Sequence, residues 1–324
     1  MYTEVMDFFC LKQPLVCASY YETEQRKKLY KELKFLLQAG GIYALTGMVG
    51  AGKTTLLNQI QQELELENKI CVSRSLSTEK NKLNVSTIYL ALFYDLTKTD
   101  KNFKVPTQGE KRERQLLDLI KKQKKPVALF IDEAHDIHGQ TLTSLKRIVE
   151  VVAQGGCQLS IILAGHPKLG NSLSKSSIEE IGARTKVFDI DSAMGNMEKY
   201  VEWLFKQCLH DKVKVGDVIT PEASLRLAQA LITPLQIHKY LSAAMEIAYT
   251  TGIKPITEDI INKSLAPDLN SLEAQLARIG YQLPAICDFL HASSKEVKDF
   301  LYGKSNSPRK TEFLSAIRSI GIAV

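Results

Sequence analysis

No two cysteines in this sequence stand at C-x-x-C spacing, and the six that occur (Cys10, Cys17, Cys71, Cys157, Cys208 and Cys287) are scattered. That excludes a disulfide-dense scaffold and fits reduced thiols of a cytosolic protein. Long apolar runs are lacking too. Those that occur, such as PVALFI at 126–131 and LSIILAG at 159–165, are far too short to span a bilayer and suit buried parallel strands. The start, MYTEVMDFF, shows no basic segment followed by an apolar one, so a secretory signal is not expected. Internal repeats and low-complexity tracts are absent. The charge excess is small, +6 with a pI near 8.8, which permits a polyanionic partner without demanding one. The expectation is a soluble, cytoplasmic protein with no membrane partner.

What is present is enough chain, 324 residues at 44% hydrophobic and 24% charged, for one large or two modest domains with a sizeable core. Between residues 41 and 190, strand and helix patterns alternate. IYALTG, KICVSRS, PVALFIDE, LSIILAG and TKVFDI read as strands. Between them, KTTLLNQIQQELELE, STIYLALFYDL, GEKRERQLLDLIKKQKK, TLTSLKRIVEVVAQ and SSIEEIG have helical period. This order predicts an α/β fold with a parallel sheet covered on both faces. After Asn196 the strand patterns stop. NMEKYVEWLFKQCL, PEASLRLAQAL, TPLQIHKYLSAAMEIAYTT and TEDIINKSL are amphipathic, with Thr220 before Pro221 a plausible helix cap. A polar break, APDLNS, then precedes a helical tail. The expected division is an N-terminal segment (1–40), an α/β domain (41–192), an all-helical lid (193–265) and a helical appendage (266–324).

One stretch carries specific chemistry. Gly47, Met48, Val49, Gly50, Ala51, Gly52, Lys53 and Thr54 fit G-x-x-x-x-G-K-[ST] at every fixed position, with Thr55 following. Glycines let successive backbone N–H groups point at a β-phosphate, and the helix behind adds its positive end. Lys53 would reach the β- and γ-phosphates of ATP, and the Thr54 hydroxyl would ligate Mg²⁺. The alternative, a glycine-rich turn with an incidental lysine, is disfavoured because the run follows a strand and opens a helix. The apolar strand VALFI ends in Asp132 and Glu133. Asp132 would orient the metal, and Glu133 would polarise the attacking water as general base. A simple acidic strand end is the alternative.

His166, at the end of LSIILAG, would lie between the metal-binding strand and the phosphate loop as a sensor of the γ-phosphate; a loop histidine with no ligand is the competing reading. Arg184 follows SSIEEIGA and precedes the last strand. Oligomeric ATPases often place an arginine here to reach a neighbour's γ-phosphate and neutralise transition-state charge. A plain surface arginine is the alternative.

The order LTGMVGAGKTTL, ALFIDEAHD, IILAGHPKL, Arg184 and a helical lid resembles AAA+ P-loop ATPases. Within them it is most similar to the ExeA/TniB/TnsC/MuB-type clade, over residues 5–265, with MDFFCLKQPLVCASYYETEQRKKLYKEL resembling the clade's N-terminal segment. The resemblance implies an oligomer, ring or filament, that assembles on duplex DNA with ATP and recruits or activates a transposase. One departure stands out: relatives often carry G-x-P-R near the third lid helix, and this chain has Thr233-Pro234-Leu235-Gln236, so the nucleotide-sensing arginine is missing.

Independent support for DNA comes from Lys111, Arg112, Arg114, Lys121, Lys122, Lys124 and Lys125, with Lys80, Lys82, Lys101 and Lys104 upstream. Glu110, Glu113 and Asp118 dilute that cluster, and a solvated helix face is the competing reading. In the tail, LPAICDFLH, ASS and KEVKDFLYGK read as helix, turn, helix, capped at Ser293 or Ser294, with Lys295, Lys298 and Lys304 nearby. A DNA-binding helix-turn-helix and a protein-contacting appendage both fit. Alternative functions are an ExeA-like secretion-assembly ATPase and an ATP-switched signalling or defence protein that does not bind nucleic acid.

Overall fold

In the computed structural model, residues 3–75, 84–97, 105–134, 137–174, 179–265, 272–301 and 309–319 are described. Lys80, Lys82, Lys101, Lys104, Lys304 and the APDLNS break lie outside them.

Five strands, β1 (Gly41–Thr46), β2 (Cys71–Ser75), β3 (Val127–Ile131), β4 (Leu159–Gly165) and β5 (Thr185–Asp189), form one sheet in the order β2-β3-β4-β1-β5. Every pairing is parallel. The α/β architecture expected from the alternating patterns is therefore present. The near-continuous apolar runs of β3 and β4 are buried along their whole length, as strands covered on both faces must be. At the edge, β5 mixes its pattern: Thr185 and Phe188 point inward while Lys186 and Val187 face out. Lys186 pairs with Glu32 and lies over the Phe188 ring, so this edge carries a charge.

The chain divides into two units, one of Glu22–Gly47 with Ala51–Met194 and one of Met1–Tyr21, Met48–Gly50 and Gly195–Val324. Helix α1 (Thr3–Phe9) belongs to the second. The sheet unit holds α2 (Glu24–Leu36), α3 (Lys53–Glu67), α4 (Val85–Leu96), α5 (Gly109–Gln123), α6 (Gly139–Gln154), α7 (Pro167–Leu173) and α8 (Glu179–Gly182). The helical unit continues with α9 (Met197–Cys208), α10 (Pro221–Ala230), α11 (Pro234–Thr251) and α12 (Glu258–Ser264). After them come α13 (Leu272–Arg278), α14 (Leu283–Leu290), α15 (Ser294–Leu301) and α16 (Lys310–Ser319).

In the sheet unit, Ile88, Leu92, Phe93, Leu129, Leu145 and Ile161 meet in one apolar core. In the helical unit, α1 supplies Val5 and Phe9 to a core built with Leu204, Phe205, Leu227, Leu241 and Met245. Residues 3–21 thus pack with α9–α12, while α2 packs in the sheet unit. Caps fix the helix starts. Thr220 accepts the Ala223 N–H at 3.2 Å ahead of Pro221. The Thr233-Pro234-Leu235-Gln236 stretch is a capping box, in which the Gln236 side-chain Oε1 accepts the Thr233 N–H and the Thr233 hydroxyl accepts the Gln236 N–H. In the tail, Ser293 accepts the Glu296 N–H at 3.3 Å, and Ile286, Leu290, Val297, Phe300, Phe313 and Ile317 share a separate core. Among the described residues no helix is long and apolar enough to cross a membrane.

Within the helical unit, the Tyr200 hydroxyl lies 2.7 Å from His238 Nε2. Burial holds the His238 imidazole below its ordinary value of 6.5. The unfolded chain takes up that proton first on acidification, so the stability present above 6.5 is lost as pH falls through the lower folded value. Chemical denaturation at stepped pH values between about 7 and 5 should show a steeper loss for the wild type than for His238→Gln. Parallel loss in the two would remove His238 as the cause.

Candidate functional site

The carboxyl ends of β1, β3 and β4 come together because β4 lies between the other two. Thr46 of β1 is level with Gly165 of β4, and Ile131 of β3 is level with Leu163. Each chain therefore leaves the sheet at the same rim, where ligands bind in open α/β sheets. Residues 47–52 link β1 to α3 there, Asp132 and Glu133 follow β3, and His166 follows β4.

The glycines of the 47–52 run are required locally. A Cβ at Gly47 would overlap the Ile190 side chain. Gly52 caps α3 with φ of 93°, a left-handed conformation that only glycine adopts freely. Lys53, the first residue of α3, is only 7% exposed, and its ammonium donates to the Gly47 carbonyl at 2.8 Å. Burial pulls the Lys53 ammonium below its ordinary value, opposed by the carboxylates of Asp191, Glu133 and Asp132 in decreasing order. The lysine is thus curled against its own loop with three acids in its field.

Thr54 and Asp132 are brought together, the hydroxyl donating to Asp132 Oδ2 at 2.7 Å. The other carboxylate oxygen, Oδ1, accepts the Glu133 N–H at 2.9 Å. Both donor groups are hard oxygens, and magnesium is typically held by one or two such protein ligands with the rest from phosphate and water. The residues present fit Mg²⁺ and a polyphosphate. Glu133 is exposed and has φ of 54°, an uncommon conformation that costs of order 1–3 kcal/mol and clusters at functional sites.

His166 is half-buried and caps α7, its carbonyl accepting the Leu169 N–H at 2.8 Å. Arg184 sits between α8 and the edge strand β5 with its side chain 65% exposed, and it pairs with Glu150 of α6. Lys146 joins Glu150 at 3.7 Å and Glu180 at 2.6 Å, making a surface network of alternating charge.

The seven basic residues proposed from sequence do not act alike. Lys111, Arg114, Lys121, Lys122 and Lys124 are exposed on or just after α5, on the side away from buried Leu116 and Ile120. Arg114 pairs with Glu110 at 2.6 Å. Arg112 instead stacks on the Tyr89 ring at 4.3 Å, and Lys125 donates to Asn68 at 2.8 Å. Sequence reasoning missed Asp191. It follows β5 in the short DID stretch, lies against Gly47 and heads the acids acting on Lys53. An aspartate two residues past the last strand was the available signal.

A family model described as an AAA domain matches residues 36–173. General secretion pathway protein A of Aeromonas hydrophila is 27% identical over 198 residues, 57% of this chain and 33% of that protein, so the chain spans about a third of that relative's length. Among solved structures, the ORC2 protein of Aeropyrum pernix superposes with a TM-score of 0.50 at 14% identity, covering 96% of this chain and 90% of that one. Cdc6p of Pyrobaculum aerophilum gives 0.51 at 16%, covering 98% and 90%. Drosophila ORC bound to DNA gives 0.51 at 14%, covering 99% and 79%. At these identities the likeness is one of fold.

If the Thr54 hydroxyl serves a metal, Thr54→Ser should keep magnesium-dependent nucleotide binding, and Thr54→Val should weaken it at least about tenfold, equivalent to 1.4 kcal/mol. Fluorescent ATP-analogue titration with and without magnesium checks this. Equal affinity for Thr54→Val would remove the hydroxyl from the binding set.

Proposed function

We propose that the chain is an ATPase that uses Mg-dependent ATP hydrolysis to control an oligomer assembled on duplex DNA, a reading supported by the AAA-domain match over residues 36–173 and the phosphate-loop spacing at 47–54. The observation that carries the hydrolytic part is the 2.7 Å contact between Thr54 and Asp132, with Glu133 next in the chain. In this reading the loop 47–52 wraps the phosphates, and the Lys53 ammonium exchanges the Gly47 carbonyl for phosphate oxygen. A magnesium ion held by Thr54 and Asp132 would neutralise phosphate charge as the terminal bond breaks. Glu133 accepts the proton of the attacking water at its carboxylate. His166 reports the terminal phosphate to α7.

Arg184 completes a neighbouring subunit's site. To do so it must leave Glu150, but an exposed ion pair contributes only about 0–1 kcal/mol, less than a phosphate oxyanion in a closed interface would return. Assembly then depends on nucleotide, and hydrolysis dissolves it. The DNA part is supported by the exposed basic side of α5, where Lys111, Arg114, Lys121, Lys122 and Lys124 meet only backbone-type requirements, positive charge without a base code. An oligomer multiplies such a patch by its subunit number. The transposase as client, with the cytoplasm as location, is supported by the motif resemblance alone. The relation to General secretion pathway protein A favours a second reading, an ATPase of secretion assembly.

Sedimentation and negative-stain microscopy, with ATP and with or without duplex DNA, separate the two. Glu133→Gln should bind ATP and give long-lived particles that form only with DNA. Particles of the same size and amount without DNA would overturn the DNA reading and leave the second one.

A further inference from the structure

Helix α2 presents one face to α3. Arg26, Tyr30 and Lys34 recur at i, i+4 and i+8 and so share a side of the helix. The Tyr30 hydroxyl donates to Glu63, and Lys34 donates to Glu63 at 3.1 Å and Glu67 at 2.6 Å. These tie α2 to the C-terminal half of α3. At the other end stands Arg26, only 4% exposed. Its guanidinium donates to the Ala51 carbonyl at 2.8 Å, and its two terminal nitrogens lie 3.6 and 3.8 Å from where a Cβ on Gly52 would be.

Burying an arginine is costly unless the charge is used, because its hydration is lost. Here the charge is set behind the last turn of the phosphate loop. A carbonyl and the amide that follows it point in opposite directions across one peptide plane. Holding the Ala51 carbonyl back toward Arg26 therefore turns the Gly52 N–H the other way, and the buried cation adds positive potential behind the loop. Arg26 is itself fixed. Its backbone N–H is accepted by the Thr23 hydroxyl at 3.1 Å, and that hydroxyl donates to the Ala193 carbonyl at 2.7 Å. One short stretch of α2 thus braces both the Ala51–Gly52 turn and the residues that follow β5.

We propose that Arg26 is a positioning residue for the phosphate loop, holding the Ala51–Gly52 peptide so that its amide faces the nucleotide phosphates. This deepens the ATPase reading and rests on it. The guanidinium acts on the loop and not on the reacting atoms, so its contribution is the same in ground state and transition state. Loss of such uniform binding raises KM and leaves kcat unchanged.

The test is steady-state ATP hydrolysis with ADP affinity measured in parallel, for wild type, Arg26→Met and Arg26→Lys. Far-UV circular dichroism and melting without nucleotide report folding. For Arg26→Met, KM should rise at least tenfold, ADP affinity should fall by a similar factor, and kcat should stay within about twofold. Arg26→Lys keeps the charge and one donor, so its KM should fall between those of wild type and Arg26→Met. If the methionine variant does not fold, the lysine variant decides, with KM raised and kcat unchanged. Unchanged KM and ADP affinity in the folded variants, or a kcat loss at constant KM, would overturn the proposal. Failure of the wild type itself to bind ATP or ADP would instead sink the ATPase reading, so the two failures are distinct.

Discussion

The contact between the Thr54 hydroxyl and the Asp132 carboxylate joins two segments seventy-eight positions apart in the chain, and the candidate chemistry depends on it. Nothing local could create it. It exists because β1 and β3 both run in the same direction on either side of β4, so their exits share a rim. The buried apolar runs of β3 and β4 set that register, since a parallel strand covered on both faces gains most when every residue is enclosed. The oxygen pair at the rim is therefore a consequence of core packing several residues away.

Around that pair the electrostatics are arranged by burial. Lys53 is enclosed yet lies in the field of Asp191, Glu133 and Asp132, which offsets part of the desolvation that lowers its basicity. A polyphosphate would bring more negative charge to Lys53 than these acids do. Arg26 supplies a second buried cation on the far side of the loop. The Lys53 ammonium thus meets the loop at the Gly47 carbonyl, and the Arg26 guanidinium meets it at the Ala51 carbonyl.

Much of this was legible in the sequence. The phosphate-loop spacing, the acids ending VALFI, and the placement of His166 all follow from strand ends, and strand ends are marked by where apolar runs stop. The caps at Thr220 and Ser293 were readable for the same local reason. What was not legible depends on contacts distant in sequence. Helices α1 and α2 lie in a segment read only by resemblance, and their division between two units is set by Val5 and Phe9 on one side and Leu29 and Leu33 on the other. The Glu150 partner of Arg184 and the Tyr89 ring under Arg112 come from other helices, so no spacing rule could announce them. The TPLQ stretch shows the reverse case. Read against relatives it is a missing arginine, while in the fold it is a complete capping box that starts α11.

Phosphate release from ATP by the purified chain, followed in magnesium and again after chelation, tests the central claim most directly. Turnover that requires magnesium and stops on its removal is expected from oxygen donors placed as Thr54 and Asp132 are. Tight ATP binding with no phosphate release in either condition, with DNA present or absent, would contradict it.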